Sequence, residues 1–120
     1  MSGWRGRWRR MDKVLSLLGL CRRAGRLQAG FDVCRETARA KKAALLIAAG
    51  DVSEKTYKNL RYEAGRAGIQ AVRIQAGMAE LSKACGIKAG VVAVTDEGFA
   101  GALLKEYGEL PESQQREKEE

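Results

Sequence analysis

The stretch from Leu27 to Ser53 constrains the fold more than any other part of the chain. Leu27-Gln28-Ala29-Gly30 reads as a short strand closed by glycine, and Phe31 to Lys42 as a basic helix. Ala43-Ala44-Leu45-Leu46-Ile47-Ala48-Ala49 then reads as a wholly apolar strand, and Gly50-Asp51-Val52-Ser53 as an acidic turn. A short, unbroken apolar run predicts a central strand covered on both faces. A helix that starts straight after a strand-end glycine points its first free N–H groups beyond the sheet. Those donors and the helix dipole favour a polar or anionic partner there.

The same alternation continues on either side. Val14, Leu17, Leu18 and Cys21 fall on one face of a helix that Asp12 is placed to cap and Gly25 to end. Within the basic helix, Val33, Cys34, Thr37 and Ala38 form the predicted buried side. Ser53 caps a helix running to about Gly65 that buries Tyr57, Leu60 and Ala64. Gly68 precedes a strand, Ile69–Ile74, in which Arg73 marks an exposed position. A short helix from Met78 to Ala84 closes at Gly86, Val91–Val94 is a second buried strand, and Thr95-Asp96 caps a last helix carrying Phe99, Leu103 and Tyr107. Strands alternating with helices predict an α/β layered sandwich.

At 120 residues the chain suits one compact domain. Its 22 Lys and Arg outnumber 15 Asp and Glu, a formal +7 that points to a polyanionic partner. Residues 1–10 hold four arginines interleaved with Trp4 and Trp8 and no acid. They are expected to form a flexible basic arm, suited to stacking on bases and neutralising phosphate, with Met11 as an alternative first residue. Residues 108–120 are polar, acidic on balance and expected to be disordered. The body between them, 11–107, is basic in its own right. Arg26, Arg35, Arg39, Lys41 and Lys42 surround the helix that opens at Gly30, and the partner expected there is RNA.

Several function classes find no support. Cys21, Cys34 and Cys85 are odd in number, widely spaced and unaccompanied by histidine, which argues against zinc and for reduced, buried thiols. There is no P-loop, no Gly-x-Ser-x-Gly and no Gly-x-Gly-x-x-Gly. Asp51 and Asp96 each follow a buried strand and read as starting or capping the next helix. A non-catalytic protein without metal or cofactor is expected. With no apolar run of membrane-spanning length and no signal-peptide core, it is expected to be cytoplasmic.

From about Leu18 to Leu104 the chain resembles the ribosomal-protein superfamily that binds kink-turn RNA, the L-seven-Ae/L-thirty-e type. Its likeness is greatest to the small bacterial YlxQ-type members. The resemblance is carried by Leu18-Gly19-Leu20-Cys21-Arg22-Arg23-Ala24-Gly25-Arg26-Leu27, Gly30, Lys42 to Ser53, Leu81-x-x-Ala84-x-Gly86, and Val91 to Ala100, in that order and spacing. It implies a three-layer α-β-α sandwich around a mixed four-stranded sheet, and a monomer that binds ribosomal or other structured RNA, or the ribosome itself. Two loops would make the contact. Gly30 to Glu36 would read base edges of sheared G·A pairs, and Ile87-Lys88-Ala89-Gly90 would pack under an extruded nucleotide, with Lys88 on phosphate and Ile87 and Ala89 as apolar contacts. The candidate RNA-binding set is therefore Arg26, Gly30, Phe31, Asp32, Val33, Arg35, Glu36, Arg39, Lys42, Ile87, Lys88 and Ala89.

The chain departs from the family where the RNA is read. Family readers carry Asn, Glu and Lys at the positions held here by Asp32, Val33 and Glu36. Asp32 can only accept hydrogen bonds, Val33 cannot take a guanine donor, and Glu36 replaces a cation with an anion. A lost bidentate base contact costs about 1–3 kcal/mol, so altered specificity is expected. A protein–protein adaptor on the same fold is the competing expectation.

Overall fold

The computed structural model describes residues 2–86 and 88–108, with side chains given for 13–86 and 88–107. Five helices and four strands alternate: α1 (Ser2–Arg23), β1 (Leu27–Ala29), α2 (Phe31–Arg39), β2 (Leu45–Ala48), α3 (Glu54–Ala67), β3 (Gln70–Arg73), α4 (Met78–Cys85), β4 (Val91–Val94) and α5 (Glu97–Gly108). The strands form one mixed sheet in the order β1-β4-β2-β3. β4 is antiparallel to both neighbours, pairing Val92 with Ala29 and with Ile47, while β2 and β3 run parallel, Leu45 opposite Gln70. β1, β2 and β3 therefore point the same way. α2 and α3 pack together over one face of the sheet, and α1 packs against α4 and α5 over the other. This is the expected α-β-α sandwich.

Each layer follows from side-chain pattern. All four residues of β2 and of β4 are buried, as strands covered on both faces require. Val14, Leu18 and Cys21 of α1 are buried on one stripe, and Leu81 with Cys85 do the same on α4. Gly25, Gly68 and Gly86 take left-handed φ values of 75°, 76° and 73°, which ends the preceding helices without a Cβ penalty.

Several expectations need correcting. α1 begins at Ser2, so Asp12 lies inside the helix instead of capping it, and residues 2–10 continue its backbone because no proline or turn intervenes. α2 stops at Arg39, three residues short of Lys42. Lys41 adopts φ 63°, and the N–H groups of Lys41 and Lys42 bond back to the carbonyls of Ala38 and Thr37, a left-handed closure made without glycine. Val33 is exposed, not core, since the buried stripe of so short a helix holds only Cys34 and Ala38. Arg73 is buried because α3 covers β3. Its guanidinium donates to the Val52 carbonyl at 2.8 Å and to Glu54 at 3.0 Å, and lies 4.7 Å from the centre of the Tyr57 ring. The tail beyond 108 and Ile87 lie outside the described residues.

Two glycines separate packing from propensity. A Cβ on Gly50 would sit 2.6 Å from the Ile74 carbonyl oxygen, whereas one on Gly65, inside α3, meets nothing within 4 Å. Gly65→Ala should raise unfolding free energy by roughly 0.5–1 kcal/mol, and Gly50→Ala should lower it by about 1–3 kcal/mol. Urea denaturation of the two variants checks both signs.

Candidate nucleic-acid interface

Because β1, β2 and β3 share a direction, the N-termini of α2, α3 and α4 all emerge at one end of the sheet. Two of the three are closed by side chains. Ser53 Oγ accepts from the Thr56 N–H at 3.1 Å at the start of α3. At the start of α4, Glu80 accepts from the Gly77 N–H at 2.8 Å and Asp51 from the Met78 N–H at 2.9 Å. Asp51 thus caps a helix 27 residues further on, not the one that follows it. Asp96 caps α5 as expected, accepting from the Phe99 N–H at 2.9 Å. Among the starts of α2 to α5, α2 alone has no side-chain cap. Its first-turn donors and the positive end of its dipole face outward.

Gly30 makes that opening. At φ 104°, ψ 144° it occupies backbone space reserved almost wholly for glycine, and its N–H donates to the Val91 carbonyl at 3.0 Å. Apart from its chain neighbours, no atom of the described residues lies within 4 Å of where its Cβ would be. Just inside, Arg35 is held on two sides: it pairs with the exposed Asp32 at 3.3 Å and its guanidinium lies 5.7 Å from the centre of the half-buried Phe31 ring. Val33 and Glu36 are exposed beside them.

The Gly30–Val91 bond brings the segment before β4 to the same end. Lys88 is exposed there, but Ala89 is buried. The Ala89 N–H donates to Ser82 Oγ at 3.1 Å, and that hydroxyl lies 3.3 Å from the Ala89 carbonyl. Ala89 therefore anchors the loop and is not the apolar contact expected of it. Gly90 lies beneath Met78 and Val52, each 3.0 Å from where its Cβ would be. Met78, exposed at the start of α4, joins Val33 as apolar surface at this end. In the sequence Met78 reads only as the first residue of a short helix.

The remaining cations lie elsewhere. Arg26 and Lys42 are at the opposite end of the sheet, since the Thr95 N–H bonds the Arg26 carbonyl and the Ala44 N–H bonds the Val94 carbonyl at the far end of β4. With Lys41, Thr37, Thr95 and Glu97 they line a groove of about 870 Å³. The nine residues of α2 separate them from Gly30 by about 14 Å of helix. The expected single cluster beside Gly30 is thus two groups. Arg39 is committed to structure: its Nε and Nη2 donate to the two carboxylate oxygens of buried Glu63 at 3.1 and 2.9 Å, tying α2 to α3. That hydrogen bonding holds Glu63 below the usual carboxylate range and raises Arg39. Glu63 was missed because nothing in a single helix pattern reveals a partner 24 residues away.

The three cysteines are buried and free. Desolvation pushes Cys21 up to about 11 and Cys34 up to about 12, and raises Cys85. Among the described residues no group of acidic, Cys or His side chains forms a metal site, and no helix is long and apolar enough to cross a membrane.

The site is thus an uncapped helix start beside an exposed lysine at one end of a three-layer sandwich. The chain belongs to the Ribosomal protein L7Ae/L30e/S12e/Gadd45 family, whose sequence model matches residues 12–104. Members of that family are non-catalytic RNA-binding proteins. Among curated proteins there is no match to the chain. A solved protein of unknown function from Bacillus halodurans C is 29% identical with a TM-score of 0.74, over 78% of this chain and 95% of its own. A Giardia lamblia 15.5kD RNA binding protein shares the fold at a TM-score of 0.69 and 17% identity, over 85% of this chain and 88% of its own.

Two outcomes follow. Gly30→Ala should cost about 1–3 kcal/mol in unfolding free energy through backbone strain alone, measurable by urea denaturation. The raised thiols make folding stability fully present below their ordinary value of 9.0 and progressively lost as pH rises through about 11 to 12, because only the unfolded chain then ionises. Urea midpoints should fall steadily from pH 8.5 to 11, and a flat profile would contradict the buried thiols.

Proposed function

We propose that this protein binds kinked, structured RNA, ribosomal or kink-turn-like, at the Gly30 end of the sandwich, as a cytoplasmic monomer that reads base edges differently from its relatives. The observation that carries this is the uncapped start of α2, set by the Gly30–Val91 hydrogen bond next to Lys88. A bent RNA exposes base edges and faces that a regular duplex hides, and it offers phosphate oxygens to open N–H groups. The family match over residues 12–104 supports RNA as the ligand, and the Giardia neighbour's printed role points the same way.

The altered reading follows from the side chains at that end. Exposed Val33, in the position of a guanine acceptor, offers a methyl surface for stacking in place of a hydrogen bond. Asp32 is occupied by Arg35, which leaves the guanidinium edge and the Phe31 ring as a preformed unit beside the RNA. Lys88 supplies the phosphate contact from the facing loop. Arg26 and Lys42 reach only RNA that extends to the other end of the molecule.

Gel shifts with a kink-turn hairpin and a regular duplex control at two salt concentrations test this. The protein should bind the hairpin with affinity that falls as salt rises, and Lys88→Glu should weaken it. Restoring the reader pattern with Asp32→Asn, Val33→Glu and Glu36→Lys should raise hairpin affinity at least about tenfold, since each base contact regained is worth roughly 1–3 kcal/mol. Unchanged affinity would contradict the contact geometry, and no RNA affinity at low salt would favour an adaptor.

A further inference from the structure

We infer that the outward face of α3 is a second RNA-binding surface, one that takes single-stranded phosphodiester backbone along Lys55, Lys58, Arg61 and Arg66 with an unstacked base on Tyr62. The inference goes beyond the Gly30 end and does not require it.

Charge accounting on α3 carries the argument. The helix holds two acids and four cations. Both acids are consumed by residues outside the helix: Glu54 pairs with buried Arg73 at 3.0 Å, and buried Glu63 with Arg39 at 2.9 Å. Lys55, Lys58, Arg61 and Arg66 are all exposed, and none of them takes part in an ion pair among the described residues. The ion pairs that fasten α3 to α2 and β3 engage both acids of the helix, although Arg66 still acts on Glu63 at longer range, and leave the cations in excess. At 100° per residue the exposed cations fall on one arc, and from Lys55 to Arg66 they extend about 16 Å along the axis. Such a row suits a phosphate backbone, whose counterions it would release.

Tyr62 stands within that arc and is 63% exposed, the most exposed of the large hydrophobic side chains among the described residues. Packing does not account for it. The Arg66 guanidinium lies 5.9 Å from the centre of its ring, so a cation and an aromatic face are offered together, as in non-specific single-strand binders. Gly65, between Arg61 and Tyr62 around the helix, has empty space where a Cβ would be and leaves a bare ledge for a close backbone approach. Nearer the start of the helix, Lys55, Lys58 and Arg61 line a groove of about 420 Å³ with Tyr57 and Glu54, the Glu54 carboxylate being paired with Arg73, and Arg61 lies 5.8 Å from the centre of the Tyr57 ring. Because α3 starts at the same end of the sheet as α2, a strand leaving a kinked RNA at Gly30 has a cationic path down this face.

The test uses the full chain and two labelled RNAs, a kink-turn hairpin without overhangs and a short oligouridine. The unaltered protein should bind oligouridine with a slope of about −3 in log affinity against log salt, from four phosphates at about −0.7 each. Reversing two charges with Lys58→Glu and Arg61→Glu should cut that slope roughly in half and lower oligouridine affinity by at least about tenfold, with hairpin affinity retained. Tyr62→Ala should lower oligouridine affinity about tenfold and leave the slope unchanged. Lys58→Arg with Arg61→Lys should preserve binding, and circular dichroism should show all variants folded, the altered side chains being exposed. Absent oligouridine binding, unaltered affinity in the reversed variant, or equal losses on both RNAs would overturn the inference. So would polyglutamate binding to this face in place of RNA. Failure of the hairpin alone would count against the Gly30 end and leave the oligouridine result decisive for α3.

Discussion

The hydrogen bond from the Gly30 N–H to the Val91 carbonyl joins two points 61 residues apart, and the architecture of the functional end depends on it. It is the last bond of the β1–β4 ladder, made where β4 inserts antiparallel between β1 and β2. That insertion forces the loop before β4 and the start of α2 to the same end of the sheet. It also sends Arg26, at the other end of β1, away from them. Gly30 makes the bond at a φ of 104°, which disfavours ordinary side chains at the position, and a glycine there offers no side-chain cap to the first turn of α2. Backbone geometry, not a particular polar side chain, creates the opening.

Much of this was legible in the sequence because it is local. The burial of β2 and β4, the caps at Ser53 and Asp96, and the left-handed glycines at 25, 68 and 86 depend on a few neighbouring residues. What escaped depends on which element lies across the sheet. Arg73 looked exposed because strand alternation says nothing of α3 above it. Arg39 reads in the sequence as an RNA contact and Glu63 carries no signal there, because their pairing exists only once α2 and α3 pack together. Asp51 was rightly read as a cap but for the wrong helix, since its partner N–H arrives from Met78 after a whole α-β unit. Arg26 and Lys42 flank α2 in sequence and yet lie at its far end in space, a consequence of nine helical residues and a reversed strand direction.

Charge follows the same logic. A formal +7 says only that the surface is basic. The folded chain decides where the excess is felt by pairing some charges and freeing others. Arg39 and Arg73 are spent on Glu63 and Glu54, so cations that looked prominent in the sequence serve the fold. Lys88 and the outer row of α3, which no motif marks, form no ion pair among the described residues. Exposed pairs such as Arg35 with Asp32 contribute little to stability, and their value is to fix the orientation of a side chain at the surface.

The central claim is that the open start of α2 and the loop before β4 are one RNA-facing surface. Amide chemical shifts followed by NMR as a kink-turn hairpin is titrated in test it most directly. Phe31, Asp32 and Val33 should shift together with Lys88, Ala89 and Gly90, saturating at a common RNA concentration. Shifts confined to Arg26, Lys41 and Lys42 at the opposite end, with the amides after Gly30 unmoved, would contradict it.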